Sequence, residues 1–176
     1  MTQVLLSTLT NQLVSSPAYS PLRELRNTVP YQVGVYVWTD EAVQITGQMI
    51  VYAGIATGKK GLYGRIIGQP LNPKYLLTNR AKWHFQKDKF QIDNPILSNG
   101  KEAIDKSAFR KNVGRLQHIR AGEETVRFIK ENFNLKFIVL PSELAKLLES
   151  EIIRIYEPRY NIASKPVRKA STLESE

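Results

Sequence analysis

The sequence predicts a small α/β chain of the α+β kind, with a mostly antiparallel three-stranded central sheet flanked by helices. Three observations predict it. Short runs rich in β-branched and aromatic residues recur at 33–39, 49–53 and 135–140. Helical stretches bounded by proline, glycine or asparagine lie between and after them. A length of 176 residues with 42% hydrophobic content is enough for one buried core, and no internal repeat divides it. One domain is therefore expected over 1–164, with a polar, disordered tail over 165–176.

The elements follow in order. Residues 3–14 and 21–27 are expected as short helices, the second with Pro21 in its first turn. Pro30 breaks the chain. The strands at 33–39 and 49–53 flank a polar stretch, which predicts an antiparallel hairpin. Gly58 and Gly61 mark a turn, and a helix over 62–69 is ended by Pro70 and Pro73. Residues 83–92 alternate like a strand, and Asn94-Pro95 and Asn99-Gly100 signal turns. Helices are expected at 108–117, despite Gly114, and at 123–132, followed by a strand at 135–140. Ser142 offers an N-cap after Pro141 for a last helix to Tyr156, which Pro158 stops.

Composition narrows the function. No apolar run approaches the roughly 18 residues of a membrane span, and the first residues lack the basic region of a signal peptide. The absence of cysteine removes disulfides and thiolate zinc sites and fits a cytoplasmic protein. Two histidines, His84 and His118, leave a hard ion held by oxygens, magnesium or manganese, as the expected metal. The net charge of +9 is regional: residues 56–90 carry +7, residues 101–120 carry +4, and the rest −2. Such a footprint fits a nucleic-acid partner, with a merely soluble basic surface as the alternative; no membrane is expected, and a homodimer is possible.

Two strands each set a tyrosine beside glycine, in Gly34-Val35-Tyr36 and Tyr52-Ala53-Gly54, and pairing can bring both phenols to one face. Arg65 follows thirteen residues after Tyr52, and Glu149 lies on the last helix before Pro158 and Asn161. These motifs, with Tyr156 and Tyr160, occur in the order and spacing of the GIY-YIG nucleases, which the chain resembles over about 28–163. The resemblance implies a metal-dependent endonuclease acting on double-stranded DNA, with catalytic residues Tyr36, Tyr52, Arg65, Glu149 and Asn161 and a Mg²⁺ or Mn²⁺ on Glu149.

Hydrolysis of a phosphodiester needs a deprotonated water, neutralised phosphoryl oxygens and help for the leaving oxygen. The resemblance makes Tyr36 the base and Tyr52 the residue that orients water or phosphate, with exchange of the two roles open. Arg65 offers a planar fork to phosphate. Lys59 and Lys60 add positive charge that favours a phenolate. On a helical wheel Leu144, Leu148, Ile152 and Ile155 form the apolar stripe; Glu151 falls inside it and Glu149 on its flank. Family spacing selects Glu149, with Glu151 second. Asn161 reads equally as a site residue or as a turn residue that satisfies local backbone.

The chain departs from the family pattern in three ways. Ile55 replaces a common lysine. Gln69 replaces a histidine or tyrosine one turn beyond the arginine; it can contact substrate but not exchange protons, and His84 is the substitute donor to consider. The third departure is a basic insertion over 70–120, where Lys82, Arg110, Lys111 and Arg115 are expected to contact DNA. A compact nuclease with its own insertion resembles the restriction enzymes of the family. A structure-selective repair or mobile-element nuclease and a catalytically silent nucleic-acid-binding module are the alternatives.

Overall fold

The computed structural model describes residues 2–23, 25–40, 49–77, 98–100 and 103–162. Five helices and five strands are found among them, beginning with α1 (Thr2–Ser15), β1 (Gly34–Thr39), β2 (Ile50–Ala56), α2 (Gly61–Ile66) and β3 (Leu76–Leu77). The chain continues through β4 (Ile104–Asp105), α3 (Ala108–Gln117), α4 (Glu123–Asn132), β5 (Asn134–Val139) and α5 (Ser142–Tyr156). The fold is mixed α/β, and β2-β1-β5 form a three-stranded sheet in which both pairings are antiparallel.

β1 is the middle strand and is buried along its whole length. Its alternation sends Tyr36 and Trp38 to one face and Val35 and Val37 to the other. On the first face they meet Tyr52 and Leu135 beneath α2, α3 and α4, whose Leu62, Ile66, Phe109 and Ile129 complete that half of the core. On the second face α1 and α5 lay Leu9, Leu13, Leu148 and Ile152 on Val35, Val37 and Ala53. The molecule is thus three layers deep, with the sheet in the middle.

Each edge of the sheet is paired at one point, which interrupts the unpaired ladder an edge strand would present. Tyr19 exchanges backbone hydrogen bonds of 2.8 and 2.9 Å with Leu135 on β5. On the β2 edge, the Tyr160 amide donates to the Val51 carbonyl at 3.0 Å. No helix of the described residues is long and apolar enough to cross a membrane.

Several expectations are corrected. The described residues of the 21–27 stretch, 21–23 and 25–27, form turns and bends instead of a helix: the Arg23 amide bonds Ser20, and those of Thr28 and Val29 both bond Leu25. α2 ends at Ile66, three residues early. Beyond it the amides of Gly68 and Leu71 reach back five residues, to Tyr63 and Ile66, as the winding widens between Gly68 and Pro70. Ser142 is the first residue of α5 instead of its cap, and Pro141 takes the cap position with its carbonyl accepting from Ala145. The strand expected at 83–92 and the tail at 165–176 lie outside the described residues.

Candidate active site

The hairpin positions the two phenols. Tyr36 is paired with Gly54 and Trp38 with Tyr52, so all four share one face of the sheet. The rings of Tyr36 and Tyr52 stand 6.2 Å apart at 39°. Phe109 stacks on Tyr52 from α3 at 4.6 Å and fixes its plane. Both tyrosines are buried, so their hydroxyls need polar partners inside the protein.

Arg65 supplies one. α2 begins where the loop before β1 folds over it: the carbonyls of Gln32 and Pro30 accept from the Leu62 and Tyr63 amides at 2.8 and 2.9 Å, satisfying two of the helix's orphan donors. Leu62 and Ile66 bury the inner side of the helix, and Arg65 projects beside the phenols. Its Nη1 donates to the Gln69 Oε1 at 2.8 Å, so Gln69 holds the guanidinium.

Electrostatics tie Glu149 to the same group. Burial raises the Tyr36 phenol far above its ordinary range, and the neighbouring Tyr52 raises it further, against the lowering charge and hydrogen bond of Arg65. Burial also raises Tyr52, but Arg65 and a hydrogen bond from Tyr36 lower it. Glu149 opposes ionisation of both phenols. The Glu149 carboxyl is itself raised by burial, while Arg65 and the Ile55 backbone pull it down. A backbone bond that favours the carboxylate comes from an N–H, so Glu149 caps the open edge of β2 at Ile55.

Asn161 caps the same edge two residues earlier. Its Oδ1 accepts from the Ala53 amide and its Nδ2 donates to the Ala53 carbonyl, both at 2.8 Å. The side-chain amide acts as a one-residue strand partner, and the backbone it satisfies is distant in sequence instead of local. Asn112 on α3 locks this segment from behind, donating to the Tyr160 carbonyl at 2.8 Å.

A cleft of about 410 Å³ opens beside this group, lined by Ile55, Thr57, Lys60, Gly64, Arg65 and Gln69 among others. Lys59 and Lys60 are exposed at the turn before α2. Among the described residues no three acidic or histidine side chains gather to hold an ion. Glu149 is the acid at this site and offers hard oxygen donors, which fits Mg²⁺ or Mn²⁺ retaining most of its water ligands.

The rival acid is occupied elsewhere. Glu151 accepts from Arg154 at 2.7 and 2.8 Å and from Gln3 of α1 at 2.9 Å. Those hydrogen bonds lower its carboxyl to about 2.

The insertion residues are placed differently from the expectation. Arg110 is fully buried, paired with Asp105 at 2.7 Å and donating to the carbonyls of Asn72 and Tyr75. Its donors are turned inward, so it pins the fold instead of facing a phosphate. Lys111 and Arg115 are also buried, and burial followed by the Arg115 charge lowers the Lys111 ammonium. Lys82 and His84 lie outside the described residues.

Tyr75 is a neighbour of the site that the sequence does not single out: its phenol acts electrostatically on Arg65, and Lys106 sits 5.0 Å over its ring. Only its position in a basic stretch hints at it. No family model, curated protein or solved structure matches the chain.

Proposed function

We propose that this chain is a divalent-metal-dependent endonuclease that hydrolyses DNA phosphodiester bonds, as its resemblance to the GIY-YIG nucleases implies. One observation carries the reading: Tyr36, Tyr52 and Glu149, from three different elements, gather on Arg65, which itself lines an open cleft. Perturbed titrating groups gathered beside a cleft support a functional reading.

Tyr52 is the better base of the pair, because Arg65 and a hydrogen bond from Tyr36 both favour its phenolate. It accepts the proton of the attacking water, Tyr36 holds the resulting charge pattern, and Arg65 pairs with a phosphoryl oxygen. Gln69 keeps the guanidinium aimed, and Asn161 fixes the edge of the strand that carries Tyr52. Glu149 would hold the Mg²⁺ or Mn²⁺, which when bound supplies charge neutralisation on the phosphate and stabilises the departing oxygen. Lys59 and Lys60 give the cleft mouth a positive potential. A cytoplasmic setting for this action fits a chain without cysteine.

The test is incubation of plasmid and mixed genomic DNA with the protein and Mg²⁺, an EDTA control, and sequencing of the ends. Discrete ends mean restriction-type specificity, and ends confined to junctions or nicks mean a structure-selective enzyme. DNA that is bound but intact under every divalent ion tried rejects the enzyme in favour of a binding module.

A further inference from the structure

α2 has a second working side. Tyr63 and Arg65 are two residues apart on a helix and so project in nearly opposite directions. Arg65 faces the cleft, whereas Tyr63 and Ile67 line a separate groove of about 450 Å³ together with Arg23, Arg26 and Lys130.

Over Tyr63 lies Tyr31, its ring stacked at 4.3 Å and 14°. Tyr31 is 62% exposed, so the outer face of this stack meets solvent. It is nonetheless held firmly. The carbonyls on either side of it, of Pro30 and Gln32, are those that accept from the first amides of α2. An exposed aromatic plane with a fixed backbone has already lost the freedom that binding would otherwise remove.

The surroundings select the occupant. Among the described residues three cations and no carboxylate line the groove, which suits a polyanion. None of the three makes an ion pair among the described residues. Arg26 lines the groove with Tyr63 beneath the stack; loss of water on the covered side of the Tyr31 ring and the Tyr63 hydrogen bond raise the Tyr31 phenol, and the Arg26 charge lowers it. A flat ring next to cations is the combination by which unpaired nucleotides are bound, because every base has a π-face.

The geometry points to a binding site for unpaired nucleotides, with a base stacked on Tyr31 and phosphates on Arg23, Arg26 and Lys130. The groove and the cleft share α2 as a common wall, about 10–12 Å through with side chains. Resting on the endonuclease reading, the inference specifies a substrate with an unpaired nucleotide beside the bond that is cut: a flap, an overhang or an extruded base.

The experiment measures anisotropy of a fluorescein-labelled short oligothymidylate with full-length protein in EDTA, where cleavage plays no part. Tyr31→Ala weakens binding roughly tenfold or more, and Tyr31→Trp restores it. Arg23→Gln with Arg26→Gln lowers the salt slope by about 0.7 for each phosphate no longer neutralised. Wild-type affinity in Tyr31→Ala overturns the proposal, as does a Tyr31→Trp protein as weak as the alanine variant, which makes the ring merely structural. A blunt duplex bound with the same Tyr31 dependence also overturns it. Plasmid cleavage without oligothymidylate binding rejects the groove alone, whereas binding without cleavage under any divalent ion rejects the nuclease alone.

Discussion

Gly54 faces Tyr36 across the β1–β2 ladder, and a methyl group on it would stand 2.6 Å from the Tyr36 hydroxyl oxygen. The phenol lies flat over the only residue type that leaves room for it. Glycine here is therefore required by the site rather than by a turn. Gly54→Ala should displace the Tyr36 ring, destabilise by about 1–3 kcal/mol through overpacking, and reduce cleavage at least tenfold. Thermal melting and plasmid cleavage read the two effects. An alanine variant equal to wild type in both would mean that the phenol is not held as found.

Glu149 and Glu151 separate chemistry from structure. Glu149→Ala should abolish Mg²⁺-dependent cleavage and leave the fold intact, because its carboxylate interacts with Arg65 of the cleft. Glu151→Gln should keep cleavage and lose the tie to Gln3 and Arg154. The folded carboxyl of Glu151 is depressed, so its stabilisation is present above the ordinary value of 4.5 and lost as pH falls toward about 2. The melting difference between wild type and Glu151→Gln should thus shrink over that window. Loss of cleavage in Glu151→Gln with retention in Glu149→Ala would reverse the assignment.

The two phenols predict different pH profiles. Both are raised above 10, so single-turnover cleavage should rise with pH across the neutral and mildly alkaline range. Tyr52→Phe removes the more easily ionised group and should flatten that rise. Tyr36→Phe removes a hydrogen bond that favours the Tyr52 phenolate, so the rise should persist but move to higher pH. A steep, unmoved profile in Tyr52→Phe would return the base role to Tyr36.

What could be read from sequence follows what each signal measures. Period-two alternation put Tyr36 and Tyr52 on one face because side chains on paired strands must alternate. The helices expected at 108–117, despite Gly114, and at 123–132 match the bounds of α3 and α4. The wheel for α5 was less exact: Ile155 is 47% exposed, and the buried stripe runs through Ala145, Leu148 and Ile152. Periodicity sees hydrophobicity, and the neighbour actually packed there, α1, decides which edge of the stripe is covered. Strands β3 and β4, two residues each, are too short to leave a period. Asn161 could be placed near the site by spacing, but its pairing with Ala53 joins distant segments and had no local trace.

That pairing is testable. Asn161→Ala strips the partners from both polar groups of Ala53 on a buried edge, at about 1–3 kcal/mol for each unsatisfied group. Asn161→Asp should be worse than its size suggests, since a carboxylate would face the Ala53 carbonyl where Nδ2 now donates. Both variants should lose cleavage in proportion to the loosening of β2, and amide exchange at Ala53 would report it directly. Protection of that amide unchanged in Asn161→Ala would remove the strand-partner role.

Arg110 shows why a basic stretch in a sequence is not by itself a DNA contact. Its pairing with Asp105 is buried on both sides, and Asp105 also accepts from the Gly122 amide at 3.0 Å and from the Thr125 hydroxyl at 2.9 Å. Burial raises the Asp105 carboxyl despite the Arg110 charge and these hydrogen bonds, so desolvation outweighs what its partners return. A pair of this kind is harmful to break and easily replaced as a whole. Asp105→Ala should destabilise by about 3–5 kcal/mol in urea unfolding, because it strands the Arg110 charge inside the protein. Asp105→Leu combined with Arg110→Met should be less harmful than Asp105→Ala alone, since no charge is left buried. The double variant Asp105→Leu with Arg110→Met should retain the wild-type salt dependence of DNA binding, because the native Arg110 guanidinium is turned to the Asn72 and Tyr75 carbonyls. A slope reduced by about 0.9 would instead make Arg110 a phosphate ligand and require this part of the fold to open on DNA.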